Sequence, residues 1–114
     1  MTDESMETNP LLAPASLAEL VEYQSGSVVS RTIIKKPTGT VTLFAFAEGE
    51  GLSEHTAPFD ALVTILDGTA QIMVGGEEHA VQVGEGLLLP ADIPHALHAS
   101  TPFKMMLVMI RSPQ

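Results

Sequence analysis

A chain of 114 residues, 45 % hydrophobic and 17 % charged, is long enough for one domain and apolar enough to bury a core. Fourteen acidic side chains against five basic ones give a formal charge of −9, the wrong sign for gripping a phosphate backbone, so nucleic acid is excluded as the expected partner. The absence of cysteine excludes disulfides, thiolate zinc sites, thiol nucleophiles and iron–sulfur clusters.

The first residues include Asp3, Glu4 and Glu7, where a secretory leader carries positive charge. The longest unbroken apolar run, Met105 to Ile110, is six residues, against the ~18 that suggest a membrane span. The expectation is a cytoplasmic protein without a membrane segment. Residues 1–15 are predicted to form a flexible acidic tail, and residues 16–114 a single β-domain. Ser16-Leu17-Ala18-Glu19 has the spacing of a capping box and predicts a helical turn or two.

From Gly26 onward turn-forming clusters recur at Lys36-Pro37-Thr38-Gly39, Glu48 to Gly51, Asp67-Gly68, Gly75-Gly76, Gly84 to Gly86 and Pro90 to Pro94. The short runs between them are rich in Val, Ile, Thr, Leu and Phe. Seven or eight strands at this spacing, with no helical stretch between them, predict an all-β antiparallel sandwich or barrel. Asp67-Gly68 is predicted to be a type I′ hairpin turn joining two adjacent strands.

Several strands are apolar on both faces. Val41 and Leu43 point one way while Phe44 and Phe46 point the other, and Met105 to Ile110 behave alike. The sequence offers almost no helix to cover the second face, so a second copy of the chain is the expected cover. The predicted assembly is a homodimer in which a strand within residues 27–35 joins or packs on the partner's sheet.

Five residues separate Gly49 from His55, and Gly68 closes that pattern; Gly84, Pro90 and His95 form a second one. These two patterns resemble the motifs of the cupins, and in particular of the small single-domain "conserved barrel" cupins. The resemblance implies a jelly roll, or double-stranded β-helix, and a metal site inside it. Of the four metal-ligand positions it implies, His55 and His95 are retained. Ala57 stands where a second His belongs and Ala61 where a Glu belongs. Asp92 and Ala99 replace a Gly and an Asn of the second motif.

Read as one extended strand, His55, Ala57, Phe59, Ala61 and Val63 share a side. If that side faces the interior, it forms a small apolar pocket with His55 in it, and His95 is expected to enter from the facing sheet. An imidazole pair suits a divalent Zn, Fe, Ni or Cu ion, but catalytic metals usually take three protein ligands. The nearest acid, Asp60, is one residue out of register. His98 has the opposite parity to His95, and His79 reads as a solvated residue near a hairpin tip. Met105, Met106 and Met109 read as gap-filling core.

The function expected from these residues is binding of a small organic molecule in a barrel whose metal site is partly lost. The alternatives are a metal-dependent cupin enzyme of oxygenase or isomerase type, using His55 and His95 as ligands, and a structural subunit that acts through its dimer surface.

Overall fold

β-Branched and aromatic residues between glycine-containing turns suit a pleated, half-buried surface, and they form nine strands in the computed structural model, which describes residues 9–111. These are β1 (Val28–Lys36), β2 (Gly39–Phe46), β3 (Gly51–His55), β4 (Asp60–Asp67), β5 (Thr69–Val74), β6 (Glu77–Gln82), β7 (Gly86–Leu89), β8 (His95–His98) and β9 (Phe103–Ile110). One sheet has the order β1-β2-β9-β4-β7 and the other β3-β8-β5-β6. All pairs are antiparallel. The architecture is a jelly roll, with no helix beyond 3₁₀ turns among the described residues. None of its helices is long and apolar enough to cross a membrane.

Alternation along each strand sends one set of side chains between the sheets. Phe46, Val63, Ile65, Ile72, Phe103 and Met105, drawn from both sheets, form the centre of this inner core. Phe46 and Phe103 are directly paired across β2 and β9. Their rings stack with centroids 4.5 Å apart and fill the end of the barrel where β9 begins.

The second apolar face is covered in part by the chain itself. Val21, Ile33, Leu43 and Ala45 form a separate buried cluster, against which Leu11, Leu20 and Met106 pack. Thus the two-faced reading of β2 and β9 holds, but the N-terminal segment supplies part of the cover expected from a partner. Three side chains pin that segment down. Asn9 Nδ2 donates to the Ile33 carbonyl at 2.7 Å, Arg31 to that of Leu20 at 3.1 Å and Lys104 to that of Ala18 at 2.6 Å. Tyr23 adds a hydrogen bond to the Asp67 carboxylate; burial, then Asp67 itself, pushes its hydroxyl above the ordinary tyrosine range, so it remains a donor.

Of the stretch expected to be a tail, residues 9–11 are therefore half-buried against the sheet, residues 12–15 are exposed, and residues 1–8 lie outside the described residues. The helical turn predicted from Ser16 is present as the 3₁₀ turn Leu17–Leu20, but the Ser16 side chain makes no capping bond. Its carbonyl instead accepts from Glu19 N at 3.2 Å.

The Asp67-Gly68 prediction is corrected. β4 pairs with β7 and β9, whereas β5 pairs with β6 and β8, so the two residues carry the chain from one sheet to the other. Gly68 has φ +73, but Asp67 is not in the left-handed region, as a type I′ turn would require. A Cβ on Gly68 would also collide with the Pro102 carbonyl, which makes the corner a close backbone approach. Two-residue hairpins do form at Pro37-Thr38, between β1 and β2, and at Gly75-Gly76, between β5 and β6, where both glycines are at positive φ.

Candidate functional site

One end of the barrel is closed by aromatic rings, and the other gathers the ends of β3, β7 and β9 with the starts of β4 and β8. His55 is the last residue of β3 and His95 the first of β8, and they are direct partners in the ladder. His95 therefore comes from the neighbouring strand of the same sheet and not from the facing one. The register shifts between Leu52 and His55. Counting two residues from the Leu52–Leu97 pair would place Glu54 opposite His95; the extra residue of this bulge puts His55 there instead.

The rings approach edge to face, with centroids 4.3 Å apart and Nε2 to Nε2 3.1 Å. His55 Nδ1 lies 2.9 Å from the Ser53 carbonyl, and His95 Nδ1 lies 3.2 Å from that of Ile93. A carbonyl oxygen can only accept, so each Nδ1 carries the hydrogen and each neutral ring presents a bare Nε2. Two lone pairs then face one another. A third proton, a cation or a hydrogen-bond donor placed between them would satisfy both. His95 is buried and His55 exposed. Burial holds the His95 imidazole below the ordinary His range, with the Ile93 carbonyl opposing and His55 reinforcing that shift.

Beside the pair lies a cavity of about 350 Å³. The 56–59 connection contributes Ala57 and Phe59, β4 contributes Ala61, and Leu89, Leu107 and Met109 come from β7 and β9. Ala57 and Ala61 thus reach the cavity from a loop and from a strand of the opposite sheet, not along one continuous strand. Val63 does not line the cavity; it lies fully buried in the core. The cavity exists because small side chains stand at 57 and 61, while the larger Val63 and Ile65 fill the interior further along β4.

Asp60 points away, as strand parity requires: its carboxylate accepts from Ala91 N at 2.8 Å. Asp92, at φ +64, donates its backbone N–H to the Ala57 carbonyl at 2.8 Å. These two contacts tie the loop after β7 to the cavity rim. His98 is exposed and its side chain faces outward. His79, expected to be solvated, is half-buried opposite Ile72. Sequence reasoning missed Leu89, Leu107 and Met109 as lining residues. The alternation Met105, Leu107, Met109 along β9 would have aimed the last two at the same space as Ala61.

A family model for the cupin domain matches residues 42–111. The chain belongs to the cupin family. A conserved protein of unknown function from Streptococcus pyogenes shares 33 % identity with this cupin over 90 % of both chains, with a TM-score of 0.85. A cupin superfamily protein from Desulfitobacterium hafniense shares 30 %, covering 88 % of this chain and 92 % of that one, at a TM-score of 0.84. A cupin 2 conserved barrel domain protein from Leptotrichia buccalis is 46 % identical; the match covers 82 % of this cupin and 46 % of the other chain, at a TM-score of 0.80. No curated protein matches the chain.

The metal set implied by the cupin resemblance does not fit these residues. Two of its four positions present methyl groups, and no group of three His, Cys, Asp or Glu side chains converges among the described residues. Two imidazoles fall short of the three protein ligands that a catalytic metal usually keeps.

Proposed function

We propose that this cupin binds a small organic molecule in the cavity at the mouth of its barrel. The observation that carries the reading is the lining: mostly apolar walls, methyl groups at positions 57 and 61, and a few polar groups, namely Thr56 and the paired imidazoles of His55 and His95. Apolar walls with a few convergent polar groups are the usual make-up of a small-molecule site, and about 350 Å³ lies at the small end of the range. The walls would hold an apolar body by excluding water. The facing Nε2 atoms would accept a hydrogen bond from it, which fixes its orientation.

The test is a fragment screen by ligand-observed NMR on protein without a His-tag, repeated on Ala61→Phe, whose ring fills the cavity. Fragments that compete for one site in the wild type and lose it in the variant support the reading. Stoichiometric metal in the purified protein together with no fragment binding would defeat it.

A second reading, a divalent cation held by the two imidazoles, is favoured by one distance. Two nitrogen ligands of a tetrahedral ion lie about 3.3 Å apart, close to the 3.1 Å between the Nε2 atoms. Metal analysis of the same preparation separates the two readings.

A further inference from the structure

We propose that the molecule bound in this cavity is a carboxylate, and that Arg111 at the rim recognises it. The inference rests on the reading that the cavity holds a small organic molecule, and it adds the chemical class. Leu107 and Met109 line the cavity. Arg111 follows at the same two-residue interval, just past the end of β9, so the chain presents it on the cavity side. Its backbone N–H donates to the Thr38 carbonyl at 2.8 Å, which extends the β9 geometry by one residue. Its guanidinium lies over the ring of Phe59 at 5.4 Å, and Phe59 is itself part of the cavity wall.

Cation–π attraction to an aromatic face positions a guanidinium without using up its N–H donors, which remain available for bidentate binding of a carboxylate. The charge distribution selects the same class. In a chain with fourteen acids and five bases, no acidic residue lines this cavity. The nearest acid in sequence on β4, Asp60, has its carboxylate turned to Ala91 N. A cation therefore stands at the mouth of an apolar space in an acidic protein. A molecule with one carboxylate and a short apolar body matches both features, whereas a cationic molecule would meet the guanidinium unfavourably.

The test uses hexanoate and 1-hexanol as probes, titrated by calorimetry into wild type, Arg111→Gln and Arg111→Lys, with folding checked by circular dichroism. Hexanoate should bind the wild type ~10-fold more tightly than 1-hexanol, and Arg111→Gln should remove most of that difference while leaving 1-hexanol unchanged. Arg111→Lys, which keeps the charge and loses the fork, should fall between them and serves alone if the Gln variant does not fold. Equal affinity for the two probes, or an equal loss of both in the variants, overturns the carboxylate assignment and leaves the small-molecule reading standing. Binding of neither probe to folded wild type overturns both.

Discussion

His55 and His95 face each other across the β3–β8 ladder with their Nε2 atoms 3.1 Å apart, each ring anchored through Nδ1 to a backbone carbonyl two residues before it. The anchors fix both tautomers, so the point between the rings is an acceptor site in a largely apolar wall. The His95 ring is the buried member of the pair.

That burial has a consequence for stability. The folded protein holds the His95 imidazole below its unfolded value of about 6.5, so in this window the unfolded chain binds more protons and stability rises with pH. Stability should be full above pH ~6.5 and should decline as the pH falls from there through the lowered native value. Urea unfolding of the wild type between pH 5 and 7.5, compared with His95→Gln, measures this. A variant with the same slope as the wild type would assign the pH dependence to other groups.

Restoring the two missing donors should convert the site. Ala57→His with Ala61→Glu places an imidazole and a carboxylate in the cavity beside the existing pair. Without metal the double variant should be less stable than the wild type by ~1–3 kcal/mol, because polar groups enter an apolar space. Zinc should restore that loss and bind stoichiometrically, as read by thermal melting and metal analysis. A folded double variant that takes up no zinc would show that positions 57 and 61 do not converge on the histidines.

Two glycines at positive φ separate backbone strain from collision. Gly76 has φ +85 with open space where a Cβ would go, whereas Gly68 has φ +73 and the Pro102 carbonyl in that place. Gly76→Ala should cost ~1 kcal/mol from the left-handed backbone alone. Gly68→Ala should cost ~3 kcal/mol or more, since the sheet-to-sheet corner must open as well. Denaturant midpoints of the two variants check the difference, and equal losses would refute the close approach at the corner.

The outer face of the larger sheet leads to an expected assembly. Leu62 and Leu88 are paired directly across β4 and β7 and are exposed, as are Ile34 and Ile110. A homodimer that covers this face is the expected state, and light scattering at micromolar concentration should return the mass of two chains. Leu62→Lys with Leu88→Lys should return the mass of one. Two-chain mass in that double variant would move the interface elsewhere.

The strands, their two-faced character and the cupin resemblance were all legible in the sequence, because side-chain alternation and turn chemistry are local properties. Composition and spacing also marked His55 and His95, and put Asp60 out of register with the cavity. What the sequence did not reveal is how strands separated along the chain come together. The bulge that brings His55 opposite His95 adds one residue to a ladder, which leaves no mark in a one-dimensional pattern. Asp67-Gly68 reads as a hairpin because the residue types that tolerate a tight turn also tolerate a corner between sheets; which of these forms is set by how β4 and β5 pair with distant strands. The cover over β2 from Leu11, Leu20 and Val21, and the placing of Arg111 over Phe59 at the cavity rim, are likewise contacts between residues far apart in the chain. Such contacts are selected by packing over the whole barrel, and no local pattern records them.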